Sequence, residues 1–270
     1  MDLSIAIPDS SLSDETTKLD KSRKISEFAR ACAIFKINTI YVYQDGENKE
    51  DRSLMITIFK YLETPQFLRK RLFPKMNDLK FAGILHPLKI PSHITPADAK
   101  KIQKGDVREG IIVAFKGKKF VDVGINQLLQ YFGPEPIGKR VTVQFKQGFP
   151  NFELKLISKN ETLAYWGYSV KERSNLFSLI KEWKGYTIIT SRKGKIATKE
   201  QISTYTNSDK PVLIVFGSPE KGVHQILGGK MSNLQNSRVL NFFPNQATET
   251  VRLEEAMLGT LSIINVYSLK

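Results

Sequence analysis

Three segments near the carboxyl end hold the residue types best suited to gripping a small molecule. They are Thr190-Ser191-Arg192-Lys193-Gly194, Phe216-Gly217-Ser218-Pro219 and Phe243-Pro244-Asn245-Gln246-Ala247-Thr248-Glu249-Thr250. Each follows an apolar run of strand character, and such turns gather at one end of a parallel sheet. Together they offer backbone N–H and C=O groups, small hydroxyls and amides above apolar strand ends. That inventory suits a neutral or zwitterionic heterocycle better than a triphosphate. Gly217 and Gly222 have the spacing of a Walker loop, but Val223-His224 stand where Lys-Ser/Thr must follow. Without that lysine and hydroxyl nothing holds phosphate and magnesium, and no G-x-G-x-x-G is present either.

Other chemistries find less support. The one cysteine, Cys32, excludes disulfides and cysteine-based zinc sites, and its place on an apolar helix face predicts core packing. His86, His93 and His224 are scattered without carboxylates at ligand spacing, so no metal is expected. Lysine plus arginine number 41 against 27 acidic residues, a net charge of +14. With aromatics interleaved among the basic residues, this balance points to nucleic acid as the partner. No apolar run approaches bilayer length and the first residues lack a secretory pattern, so the chain reads as soluble, intracellular and cytoplasmic.

The elements that must position these groups alternate between strand and helix. Leu3–Ile7 reads as a buried strand. Thr17–Phe35 reads as a helix with Ile25, Phe28, Ala29, Cys32 and Ala33 on one face and Lys21, Arg23, Lys24 and Arg30 on others. Thr39–Tyr43 is a second strand, Gln44–Asp51 a polar loop and Arg52–Leu62 a helix, broken by Pro65 before the basic-aromatic run Phe67–Pro74. The pattern changes near Pro87: Pro87, Pro91 and Pro96 punctuate a linker. Short strands follow at Val107–Phe115, Lys119–Val123, Arg140–Phe145 and Phe152–Ile157, divided by Gly/Pro turns. They predict a small OB-like β barrel carrying Lys116, Lys118, Lys119, Lys139, Arg140 and Lys146. Afterwards the α/β pattern returns with strand Leu163–Tyr168, helix Val170–Trp183, strands Tyr186–Thr190, Val212–Phe216 and Val239–Phe243, a helical turn near Val223–Leu227 and a last helix Arg252–Tyr267. The fold class expected is α/β, with a discontinuous domain of residues 1–86 and 161–270 interrupted by a β module at 87–160.

The tandem FGSPEKG and NFFPNQATETVRLEEAMLGTLSIIN, preceded by ITSRKGK, resemble the C-terminal motifs of the SPOUT class of S-adenosylmethionine-dependent methyltransferases. The opening TKLDKSRKISEFARACAIFKINTIYVYQDG and the run YLETPQFLRKRLFP resemble one branch, archaeal and eukaryotic RNA methyltransferases whose SPOUT domain carries an inserted OB-like module. The resemblance spans nearly the whole chain. It implies a C-terminal trefoil knot with S-adenosylmethionine bound in it and a homodimer with active sites at the interface. It also implies cofactor contacts from Thr190, Ser191, Arg192, Gly217, Asn241, Phe243, Asn245, Gln246 and Thr248. Relatives usually have Gly where this chain has Ala247, which argues against a required positive φ there.

Methyl transfer from a sulfonium first demands positioning, and a ring N–H nucleophile such as uridine N3 must also lose its proton. Arg30, on the first helix, is expected to grip substrate at the other protomer's pocket. Glu249 is the best-placed carboxylate for a base, with anchoring of its own loop as the alternative. Arg23, Arg69, Lys70, Arg71, Lys118, Lys119 and Arg140 are expected to face RNA, ribosomal RNA above all. The competing functions are a non-catalytic RNA-binding or ribosome-assembly factor and a methyltransferase acting on protein.

Overall fold

The computed structural model describes residues 2–93 and 98–268, apart from the side chains of Ser232 and Asn233. Pro96, one of the three linker prolines, lies outside the described residues. The chain divides into two compact units. The first comprises Met1–Leu62, Asn77–Leu88 and Tyr168–Lys270; the second comprises Glu63–Met76 and Lys89–Gly167. Among the described residues no helix is long and apolar enough to cross a membrane.

In the first unit, β1 (Leu3–Pro8) is buried along its whole length. Such an unbroken buried run belongs to a parallel strand covered on both faces. Thr17 caps α1 (Lys18–Ile34), its hydroxyl accepting from Asp20 N. Next come β2 (Thr39–Tyr43) and α2 (Lys49–Glu63). That helix starts earlier than its apolar pattern suggests, because the Asn48 side-chain oxygen accepts from Glu50 N and Asp51 N, both at 3.1 Å. In the second unit, α3 (Gln66–Leu72) carries the basic-aromatic run, followed by β3 (Val107–Phe115), β4 (Lys118–Asp122), β5 (Leu129–Gln130), β6 (Arg140–Gln147) and β7 (Glu153–Ile157). Back in the first unit are β8 (Ser169–Arg173), α4 (Leu176–Glu182), β9 (Tyr186–Ile196), α5 (Lys199–Thr206), β10 (Val212–Val215), α6 (Val223–Leu227), β11 (Ser237–Asn241) and α7 (Leu253–Tyr267).

These strands make a six-stranded sheet of order β11-β9-β10-β1-β2-β8, every pair parallel. One face packs Tyr41, Tyr43, Ile189, Leu213 and Val215 against α4 and α6 through Leu176, Leu179, Val223 and Leu227. Cys32 is buried, as its place on the apolar face of α1 predicts, and burial pushes its thiol pKa far up, which leaves it inert. Helix α7 packs against α1 and α5.

The structure corrects four readings of the sequence. Residues 163–168 form no strand, and Leu163 is fully exposed. The strand is Ser169–Arg173, entered after Gly167 at φ +105°, and the helix begins at Leu176 with Asn175 as its cap. Lys171, Glu172 and Arg173 resemble a helix start, but an edge strand tolerates charge because one side meets water. Helix α5 was missed although Thr198 and Gln201 spell a capping box. The basic turn is not a simple strand end either: β9 pairs Ile189 with Val239 and resumes at Lys195 with Leu240, so Thr190–Gly194 leaves that ladder. Lastly, Lys24 does not sit on a solvated face. It is 3% exposed and paired with Asp14 at 2.5 Å and Glu254 at 3.4 Å, which binds α1 to the first turn of α7.

The second unit is a five-stranded antiparallel sheet of order β5-β4-β3-β6-β7. One face holds a core of Ile112, Val121, Val123, Val143 and Phe145. On the other, Leu68 of α3 lies against Ile111 and Val113 with Phe67, Leu72 and Phe120 around them. Beside this sheet is a buried ion network. Arg140 Nη1 donates to Glu63 Oε2 at 2.6 Å and its Nε to Glu109 Oε2, while Lys159 meets Glu63 Oε1 at 2.7 Å. Thr142 and the Trp166 indole donate to the remaining Glu109 oxygen. Burial alone would lower the Arg140 pKa, but Glu63 and then Glu109 outweigh it and raise the value.

Candidate active site

The carboxyl ends of β10 and β11, with the interrupted stretch Thr190–Gly194 inside their neighbour β9, bring together the three segments singled out in the sequence. Between them lies a cleft of about 510 Å³, within the roughly 300–1,000 Å³ of small-molecule sites. Its walls include Thr190, Ser191, Arg192, Gly217, Asn241, Phe243, Gln246 and Glu249. Thus six apolar and polar positions of the expected donor site, with Arg192 and Glu249, converge on one volume. Asn245 and Thr248 do not line it.

Several of these side chains hold the loops to one another instead of pointing free amides at a ligand. Asn241 Nδ2 donates to Arg192 O at 3.1 Å while its oxygen accepts from Phe243 N at 2.9 Å. Arg192 Nη1 donates to Glu249 O at 2.7 Å, and Gln246 Nε2 to Thr248 O at 3.0 Å. Glu249 therefore anchors its loop through its backbone carbonyl, which leaves the carboxylate on the exposed rim of the cleft. In the β10 turn, Ser218 N donates to Lys221 O and Lys221 N to the Ser218 hydroxyl, both at 2.9 Å. Thr190 Oγ1 donates to Val215 O at 2.9 Å, so one turn is tied to the neighbouring strand.

The left-handed residue of the third loop is Asn245, at φ 58°, and not Ala247. Alanine at 247 is thus compatible with the loop, because asparagine two positions earlier takes the conformation that L-residues resist. Asn245→Gly should leave stability and ligand affinity nearly unchanged. Asn245→Val should cost about 1–2 kcal/mol from the same backbone strain. Paired thermal melts of the two variants check this, and equal melting points would refute it.

Sequence reasoning passed over other lining residues: His224 and Gln225 on the first turn of α6, and Leu253, Ala256 and Thr260 on α7. Thr260 Oγ1 is buried and makes no hydrogen bond among the described residues, a polar atom at the cleft in want of a partner. At Gly259 an added Cβ would fall 2.4 Å from the Phe243 ring, so glycine there lets that ring lie on α7. No local pattern marks these positions, since their role depends on a helix returning to the sheet.

A family profile described as "Putative RNA methyltransferase" matches residues 2–264. The chain belongs to this family. It is 29% identical to an uncharacterized protein of Halobacterium salinarum over 289 residues, 98% of this chain and 99% of that one. It is also 29% identical to human "28S rRNA (uridine-N(3))-methyltransferase" over 303 residues, 97% of this chain and 77% of the relative. The protein of the same description from Drosophila melanogaster is 28% identical over 303 residues, 97% and 61% respectively.

Family membership makes the chain an RNA methyltransferase, which requires a methyl donor. The cleft fits one: it supplies backbone groups and hydroxyls, has an orphan hydroxyl at Thr260, and lacks a phosphate-binding lysine–hydroxyl pair after Gly222. The expected RNA contacts divide. Arg140 is committed to Glu63 and Glu109, and Lys119 Nζ donates to the carbonyl of Glu135 at 2.9 Å. Arg71 pairs with Asp122 at 3.1 Å and Arg69 Nε donates to Thr64 O at 2.8 Å. Arg23 is exposed beside Asp20, and Lys70 and Lys118 are exposed. Arg30 does not line the cleft of its own chain; its Nη1 donates to Pro87 O at 3.0 Å and Leu88 O at 3.3 Å.

Proposed function

We propose that this protein methylates N3 of a uridine in ribosomal RNA, using S-adenosylmethionine. In this reading it is a homodimer of SPOUT-class domains with a C-terminal trefoil knot, and its antiparallel unit is an OB-like RNA-binding module. The observation that carries the reading is the cleft shared by three segments on adjacent parallel strands, together with relatives that bear the uridine-N3 description.

When bound, S-adenosylmethionine supplies a methyl group on a positively charged sulfur. The protein's own tasks are to shape the cleft, to orient the base and to handle a proton. Arg192 and Asn241 shape it by fixing one loop against another, and Gln246 by closing its own loop onto Thr248. Thr190, Ser191, Gly217, Phe243 and Thr260 present the binding surface, with Asn245 and Thr248 setting the loop's course. The N3 proton passes to the Glu249 carboxylate, which stands at the rim with its backbone held by Arg192.

Arg30 is assigned to substrate at the other protomer's cleft. Arg30→Ala should keep donor affinity and slow transfer about 100-fold, the scale on which a misplaced substrate slows a reaction. Unchanged turnover would remove Arg30 from the mechanism. The reading as a whole is tested by incubating the protein with labelled S-adenosylmethionine and either total RNA or total protein. Label in ribosomal RNA, recovered as 3-methyluridine after nuclease digestion, is expected. Label in protein alone, or none despite millimolar donor, would overturn it.

A further inference from the structure

The second unit carries two largely exposed phenylalanines, Phe115 and Phe132, the first touching the fold edge-to-face through Phe120 at 5.9 Å between ring centroids. Strand alternation sorts its side chains cleanly. Ile112 and Val121, paired across β3 and β4, lie in the main core, while Ile111, Val113 and Phe120 face α3. Phe115 continues that second face and pairs with Lys118, beyond the part covered by Leu68. Phe120 pairs with Gln130, and Tyr131 N donates to Lys119 O at 3.0 Å, so the ladder runs on toward residue 132. Strand β5 ends at Gln130, and continuing its alternation through Tyr131, which packs with the main core, assigns Phe132 to the face of Phe115 and Lys118.

Both rings are open to solvent: Phe115 is 50% exposed and Phe132 is 86% exposed. Large apolar side chains in such positions mark binding surfaces when they cluster, and charge decides the partner. Here the surroundings are cationic. Lys116 Nζ lies 5.5 Å from the Phe115 ring centroid, and Lys118 is exposed opposite it. The presentation is also rigid. Lys116 and Gly117 have φ of 47° and 73°, the two left-handed residues of a tight two-residue hairpin turn. After Phe132, the Lys119 ammonium ties down the loop at the Glu135 carbonyl, 2.9 Å away.

We infer that this hairpin face is a stacking platform for unpaired nucleotides of the RNA substrate, with Phe115 and Phe132 under the bases and Lys116 and Lys118 beside the phosphates. The inference rests on the RNA reading above and sharpens it, because a flat exposed ring recognises a splayed base and cannot reach one inside a duplex. A purely electrostatic site would not need the two phenylalanines; an apolar protein-docking site would not need the lysines.

The test uses the full-length protein and two fluorescent probes: a single-stranded RNA of about 12 nucleotides, within the roughly 4–16 of such modules, and the duplex of the same sequence. Phe115→Ala and Phe132→Ala should each weaken single-strand binding about tenfold by anisotropy, with duplex binding unchanged. Phe115→Trp should keep the affinity. Lys118→Ala should weaken both probes and lower the salt slope by about one phosphate contact. Unchanged single-strand affinity in the alanine variants, equal loss on the duplex, or loss in the tryptophan variant as well would overturn the platform. Phe115, Lys118 and Phe132 do not line the cleft, so calorimetry with S-adenosylmethionine should be unaffected by these changes and a failed platform leaves the donor site standing. A chain that binds single strands through these rings yet methylates nothing would sink the proposed function alone.

Discussion

Replacing Gly217 by arginine should abolish S-adenosylmethionine binding, lowering affinity by at least about 100-fold, roughly 2.7 kcal/mol at 1.36 kcal/mol per factor of ten. The residue follows buried Phe216 at the carboxyl end of β10, on the wall of the cleft. A Cβ there would stand 2.7 Å from Lys221 O and 3.1 Å from Gly222 Cα and Val223 N, all backbone atoms that cannot swing aside. The turn is closed on itself by the Ser218–Lys221 hydrogen bonds, so relief requires moving the whole loop. Alanine should therefore reduce affinity too, and arginine adds a long cationic chain beside a donor that is itself positively charged at sulfur. The second unit, whose core lies elsewhere in the chain, should melt as before. Isothermal titration measures the first effect and a thermal scan the second. Undiminished affinity in the arginine variant would place the donor outside this cleft.

The turn at Gly217 is legible from residue types, whereas its assignment to S-adenosylmethionine comes from the family resemblance. Gly217 and the strand before it are local signals: an apolar run buried on both faces, then small turn residues. The same holds for β1 and β2, and for α1, whose apolar stripe and Thr17 cap are written in consecutive turns. Signals fail where a partner far along the chain decides the matter. Lys24 and Arg140 look like surface charge until Asp14, Glu254, Glu63 and Glu109 are brought to them. Strand β8 fails for a related reason. Its charged residues are chosen by the water beside the sheet edge, and that edge exists only once β2 has found it. Within the cleft, the Asn241 amide ties its loop to Arg192 of the neighbouring one, a use visible only when both loops are in place, while the Gln246 amide closes its own loop onto Thr248. The positive φ at Asn245 likewise resolves the misfit of Ala247, which two residues of loop path had displaced.

Arg140→Ala should destabilise the second unit by about 3–5 kcal/mol, the cost of stranding a buried charge. The side chains of Glu63 and Glu109 are 7% and 0% exposed, and Arg140 is the cation that touches both. Glu63 keeps Lys159 at 2.7 Å after the change, so the uncompensated group is Glu109, left with the donors of Thr142 and Trp166. Thermal melts of the variant and the parent read the loss directly. Arg140→Met combined with Glu109→Gln removes both charges, keeps an acceptor for Thr142 and Trp166, and should recover part of the loss. A loss below about 1 kcal/mol would mean a solvated ion pair of ordinary surface strength. If Arg140 instead served RNA directly, the alanine variant would melt like the parent and lose RNA affinity. The buried geometry requires the opposite order: stability falls first, and RNA binding suffers only as the sheet that presents Phe115 and Lys118 comes apart.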